Sequence, residues 1–325
     1  MTALLKVENL ITEFGGGRGM SGLRAVNDVS FSLERGRVLG LVGESGSGKS
    51  VTGFSIMRLL EKPGRVAGGR IIFDGRDIAN CSDEEMRQLR GKRIAMVFQD
   101  PMMTLNPVLT VGTQMVEAVR AHDRVSKDEA RQRSRDALAL VGIPSPEERL
   151  SAYPHQFSGG MRQRVAIAIA LLHKPDLIIA DEPTTALDVT IQSQIISEFQ
   201  RLTEEANTAV IWITHDLAIV SRLADDIAVM YAGRLVETGP VTKVLTDPYH
   251  PYTAGLIASV PSQNRRGELL HQIRGMTPAI NRLPRGCSFR TRCDRSTEGC
   301  LVMPLLVPDE DRSFRCIHPV SKATA

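Results

Sequence analysis

The chain has 325 residues, with 40 basic against 37 acidic side chains, a formal charge of +3 and 42% hydrophobic residues. The length suits one large domain with an extension, or two domains, and the hydrophobic share is ordinary for a globular protein. The charge balance is too mild to indicate a nucleic-acid partner, and no apolar run approaches the roughly 18 residues of a membrane span.

In chain order, Leu5 to Thr12 and Ala25 to Leu33 alternate as strands, around a flexible loop at Gly15-Gly16-Gly17-Arg18-Gly19. Phe14 closes the first of them and has the aromatic face needed to stack on a base. Next, Val38 to Val42 reads as a buried strand and Val51 to Met57 as a helix. Between them lies Gly43-Glu44-Ser45-Gly46-Ser47-Gly48-Lys49-Ser50, the full G-x-x-x-x-G-K-[ST] phosphate loop. Its glycines let backbone amides turn onto a phosphate chain, Lys49 adds a point charge, and Ser50 offers a hydroxyl to Mg²⁺. The chain is therefore expected to bind a nucleoside triphosphate.

Gly68 to Gly75 reads as a strand and turn, and Ser82-Asp83-Glu84-Glu85 as a capping box opening a short helix; Cys81 before it reads as a plain thiol. Arg93 to Phe98 is a second buried strand, delivering the Gln99 amide at the sheet edge where ligands of open α/β folds bind. Residues 102–157 turn polar and helical, with Val111 to Ala121 as one helix and Ser126 capping another. They read as a helical insertion. Ser158-Gly159-Gly160-Met161 then opens the apolar helix Val165 to Leu172, a second helix N-terminus with amides and a hydroxyl.

Asp176 to Pro183 is a strand ending in two carboxylates, Asp181 and Glu182. Beside a phosphate loop, one acid suits the Mg²⁺ shell and the other suits a base for attacking water. Asp188 caps a helix carrying Ile191, Ile195, Ile196, Phe199 and Leu202. Ala209 to Ile213 is a further core strand, and it alone of the core strands delivers a histidine, His215, at its carboxyl end. Strands around Ile227–Tyr231 and Arg234–Glu237 follow.

The order of P-loop, Gln99, Ser158-Gly159-Gly160, Asp181-Glu182, Asp188 and His215 resembles the ATP-binding-cassette ATPases over residues 4 to 240. The chain departs from the common Leu-Ser-Gly-Gly-Gln at Phe157 and Met161. A narrower resemblance, to the dipeptide and oligopeptide importer ATPases, rests on Val97 to Pro107, Tyr153-Pro154-His155-Gln156, His250-Pro251-Tyr252-Thr253 and Gly286 to Cys293.

The resemblance implies an α/β fold: a P-loop ATPase core with an antiparallel β subdomain and a helical subdomain (about 102–157). The nucleotide-binding domain would span 1–238 and a small cysteine-containing extension 239–325. ATP would contact Phe14, Gly43 to Val51 and Gln99, and Mg²⁺ would sit with Ser50, Gln99 and Asp181. Glu182 would act as base and His215 at the γ-phosphate, while Ser158 to Met161 close the site in trans beside Asp188. Implied partners are a second, related ATPase subunit, two permease subunits and an extracytoplasmic binding protein, with no nucleic acid. The chain would sit peripherally on the cytoplasmic face of the inner membrane. Nickel or glutathione as cargo, or a non-transport role in the same ATPase family, are the alternatives.

Cys287-x5-Cys293-x6-Cys300-x15-Cys316 could hold an iron–sulfur cluster or Zn²⁺, or be four thiols in a small core; the spacing does not choose among these. The importer resemblance favours a [4Fe–4S] cluster.

Overall fold

The computed structural model describes residues 3–15, 22–184, 189–260 and 271–320. The glycine-rich segment 16–19 and Asp188 with its loop lie outside the described residues, as does the side chain of Ile191. The elements are, in order, β1 (Leu5–Phe14), β2 (Leu23–Leu33), β3 (Val38–Val42), α1 (Lys49–Met57), β4 (Arg65–Phe73), β5 (Arg76–Asp77), α2 (Asp83–Leu89) and β6 (Ile94–Val97). Then come α3 (Val111–Arg120), α4 (Lys127–Leu140), α5 (Pro146–Arg149), α6 (Gly159–Leu171), β7 (Leu177–Asp181), α7 (Val189–Glu205) and β8 (Ala209–Thr214). The chain ends with α8 (Leu217–Leu223), β9 (Asp226–Tyr231), β10 (Arg234–Pro240), α9 (Val241–Thr246), α10 (Pro251–Ala258), β11 (Val307–Asp309) and β12 (Arg312–Phe314). The α/β class with an antiparallel sheet and helices is as expected.

These elements fall into two compact units. The first comprises residues 1–33, 38–80 and 212–325. One of its sheets is antiparallel in the order β2-β1-β4-β5. Along β1, Leu5 and Val7 point inward, then Leu10 and Thr12. The parity switches because Asn9, at φ 48°, forms a bulge where the register shifts against both neighbours. One inserted residue turns every later side chain to the opposite face.

The second sheet of this unit runs β11-β12-β10-β9-β3. Strand β3 is parallel to β9, with Val42 opposite Val229, and the remaining pairs are antiparallel. Val42, Leu217, Val220, Val229, Tyr231, Val244, Tyr252 and Phe289 close one hydrophobic cluster against it. Residues on either side of position 239 therefore share a core. The hairpin β11–β12 was not expected: strands of three residues, the first carrying Pro308 and Asp309, are too short to show alternation, and β12 is held by β10, far upstream in sequence.

The second unit comprises residues 34–37 and 81–211. Its strands β6 and β7 are parallel, with Ile94 opposite Leu177 and Val97 opposite Ala180. Ser82 forms the expected capping box with Glu85, and Ser126 caps α4 by accepting from the Glu129 amide. Helices α3 and α4 meet through Val116, Val119 and Ala130. Ser134, buried on the apolar face of α4, donates to the Ala130 carbonyl at 2.7 Å, so no polar hydrogen is stranded there.

Candidate functional site

In the first unit, β3 runs straight into the phosphate loop and α1 leaves it. Gly43 and Gly48 are required by the backbone. Both have positive φ, and a Cβ would fall 2.2 Å from the Met230 carbonyl oxygen at Gly43 and 2.6 Å from that of Ala25 at Gly48. Gly48 is also the N-cap of α1, so no side chain there competes for the helix's leading amides. The Ser47 hydroxyl is buried with no hydrogen-bond partner among the described residues. The Lys49 ammonium, almost wholly buried, donates to the Gly43 carbonyl at 2.8 Å and the Glu44 carbonyl at 3.1 Å. It rests folded back on its own loop. Ser45 and Gly46 are exposed, and Ser50 and Val51 follow Lys49 in the first turn of α1.

Phe14, half-buried at the end of β1, lies beside Gly64: a Cβ there would stand 2.6 Å from its ring. His215 follows β8 and is exposed.

In the second unit, parallel pairing of β6 and β7 aligns two of the candidate residues. Val97 lies opposite Ala180, and Gln99 and Glu182 each stand two residues further on, at the same edge. The Gln99 amide donates to a Glu182 carboxylate oxygen at 3.3 Å. Asp181 ends β7 and is buried, whereas Glu182 turns out of the strand at φ 44°. A non-glycine residue in that region is uncommon, and it redirects the carboxylate away from the path of the strand.

Elsewhere in this unit, Ser158 caps α6, accepting from the Met161 amide at 3.3 Å. Ser158 and Gly159 are exposed, with open space around Gly159, while Phe157 is buried under the Arg149 guanidinium. Arg162 and Arg164 tie α6 to the helical segment by donating to the carbonyls of Pro154 and Val141.

The four tail cysteines line one cavity with Phe289, Pro304 and Ile317. Burial pushes the thiols of Cys287, Cys293 and Cys316 up, that of Cys316 to about 11. As placed, no group of three or more His, Cys, Asp or Glu side chains among the described residues is gathered closely enough to hold a metal ion. The side-chain geometry thus does not carry the iron–sulfur expectation; only the four sulfur donors around one cavity do.

One set of contacts was not anticipated. Glu44 is gripped by the tail: Arg292 forks onto its carboxylate at 2.6 and 2.9 Å, and Thr277 donates to it at 2.6 Å. Its backbone amide donates to the Tyr252 hydroxyl at 2.8 Å. Burial alone would raise the Glu44 carboxyl, but Arg292 and Thr277 outweigh it and hold it below the usual range. The available signal was an acid inside an anion-binding loop, which needs a cation from elsewhere.

Against known families, residues 26–185 match the model of the ABC transporter, and residues 236–300 that of the oligopeptide/dipeptide transporter C-terminal region. The oligopeptide transport ATP-binding protein OppD of Escherichia coli is 47% identical over 98% of this chain and 94% of its own. The chain belongs to this family. The dipeptide transport ATP-binding protein DppD of Bacillus subtilis is 49% identical over 92% of this chain and 89% of its own. Among solved structures, a dimeric ATP-binding cassette in a post-hydrolysis state, bound to ADP and Pi, is similar with a TM-score of 0.65. It is 28% identical and covers 73% of this chain and 98% of its own. A subunit of an ABC transporter complex from Clostridium perfringens gives a TM-score of 0.63 at 30% identity, over 76% of this chain and 92% of its own. Family membership makes the chain an ABC ATPase, for which ATP and Mg²⁺ are the expected ligands. No helix among the described residues is long and apolar enough to cross a membrane.

Proposed function

We propose that this chain hydrolyses ATP to drive uptake of di- and oligopeptides. It would act as a peripheral subunit on the cytoplasmic face of the membrane, beneath two permease subunits fed by an extracytoplasmic binding protein. The cargo rests on its likeness to relatives named for oligopeptide and dipeptide transport. The observation that carries the hydrolytic reading is the Gln99–Glu182 pair at one strand edge.

In this reading the loop amides around Gly46 to Val51 cradle the phosphates, and Phe14 stacks on the base. Lys49 leaves the Gly43 and Glu44 carbonyls for the outer phosphates. Ser50, Gln99 and Asp181 are the hard oxygen donors that suit Mg²⁺, which when bound neutralises phosphate charge. Glu182 accepts a proton from water as the water oxygen bonds to the γ-phosphorus and the bond to the bridging oxygen breaks, releasing ADP. His215 donates to the γ-phosphate. Ser158 to Met161 close in trans the nucleotide site of a second, related ATPase subunit, whose own signature closes this one, with Asp188 at the seam. Functionally, residues 1–238 bind nucleotide and 239–325 form the transporter-specific extension.

Glu182→Gln keeps the shape and the neighbour of the side chain but removes the base. It is expected to bind ATP while turnover falls at least about 100-fold, the usual loss on removing a general base. Wild-type turnover in this variant would assign the base elsewhere.

We also propose that Cys287, Cys293, Cys300 and Cys316 take up a [4Fe–4S] cluster, supported by donor type and the shared cavity. Binding requires their side chains to turn toward one another. Anaerobically purified protein is expected to contain iron and acid-labile sulfide; an iron-free preparation overturns the proposal.

A further inference from the structure

The grip of the tail on Glu44 has a geometry that bears on nucleotide binding. Glu44 is the second residue of the phosphate loop, and its carbonyl accepts from the Lys49 ammonium. Three groups from the last quarter of the chain hold that one residue by both its side chain and its amide. Arg292 is itself fixed. Its side chain is 5% exposed, its Nε donates to the Arg274 carbonyl at 2.8 Å, and its guanidinium lies near the rings of Tyr231 and Phe289. Tyr252 is fully buried against the same two rings. Both anchors are therefore rigid, and a bidentate fork onto a carboxylate sets orientation as well as distance.

We propose that Arg292, with Tyr252 and Thr277, is a positioning residue for ATP binding: through Glu44 it sets the first half of the phosphate loop and the resting place of Lys49. The proposal rests on the loop being the ATP site. The tail does not touch the phosphates in this account; it acts through Glu44. A loop whose backbone is already fixed loses less conformational freedom when the ligand arrives, so slackening it reads as weaker binding.

The test uses the full chain, with the dissociation constant for a fluorescent ATP analogue and the unfolding temperature without nucleotide measured on each variant. Arg292→Ala is expected to weaken binding on the order of tenfold, the scale of one lost charged hydrogen-bond pair, with Arg292→Lys recovering part of it. Tyr252→Phe keeps the ring and removes only the hydroxyl, and is expected to weaken binding about threefold. If Arg292 acts through Glu44, the double variant Arg292→Ala/Glu44→Ala binds no worse than Glu44→Ala alone. Additive losses in the double variant overturn the proposal. So does a lowered unfolding temperature with unchanged affinity in all single variants, which is the signature of a merely structural tie. Should Arg292→Ala not fold, Tyr252→Phe decides: unchanged affinity overturns the proposal. Failure of wild-type protein to bind the analogue would instead overturn the ATP site itself.

Discussion

His250 shows how much one side chain's protonation state can carry. It is buried, and its Nδ1 accepts from the Tyr252 amide at 3.0 Å, capping α10. That bond needs neutral imidazole, and burial lowers its pKa from 6.5 to about 3. The sign follows from linkage. Below about 6.5 the unfolded chain takes up a proton that the folded chain refuses, so stability declines as pH falls and levels off only near 3. The slope is about 1.4 kcal/mol per pH unit for this one group. His250→Asn retains a capping oxygen without the titration. Its unfolding temperature is expected to fall less steeply than wild type between about pH 6.5 and 4.5; parallel curves would show that other groups set the acid limit.

Among the elements, β10 is the one from which the extension is hung. Glu237 on this strand is fully buried and accepts from the amides of Tyr249 and His250, both at 2.8 Å, and from Arg312 on β12 at 2.7 Å. Glu237→Ala takes one acceptor from three donors, and breaking a buried ion pair this way costs about 3–5 kcal/mol. The expected outcome is a lower unfolding temperature and protease cleavage within residues 241–320; an unchanged digestion pattern would mean that the aromatic cluster alone holds the extension. Nothing local in sequence marks this tether. The readable elements were those whose signal is local: β3 by its apolar run, α1 by the glycine and lysine before it, α2 and α4 by serine caps, and β7 by five apolar or acidic residues in a row. The Gln99–Glu182 pair was legible as two strand ends but not as neighbours, because parallel register is set by packing. The hairpin β11–β12 and the Arg292–Glu44 fork were not legible, since each joins residues distant in sequence with no periodicity to announce them. Asn9 hid in the same way: a bulge turns an alternating strand into a broken one.

At the scale of the working molecule the question is how many chains complete one site. Ser158 and Gly159 are exposed, with open space around the glycine, at the N-terminus of a helix anchored by Arg162 and Arg164. A solved cassette similar to this chain is dimeric with its ADP and Pi bound. If the Ser158 end of α6 serves the nucleotide of a partner, a lone chain binds ATP but turns it over poorly, and where a second copy of this chain stands in for the related subunit its rate per molecule rises with concentration. Two inactive variants then separate trans from cis. In a pair of Ser158→Arg with Glu182→Gln, one composite site draws Glu182 from the first chain and Ser158 from the second, so both groups there are intact, while the other site lacks both. Random mixing in equal amounts makes half of the pairs mixed, each with one good site of two, and should restore about a quarter of wild-type activity in a symmetric dimer. Arrangement in cis restores none, because every site then carries one defect. Brisk turnover that stays constant per molecule down to demonstrably monomeric protein would likewise show that each chain completes its own site.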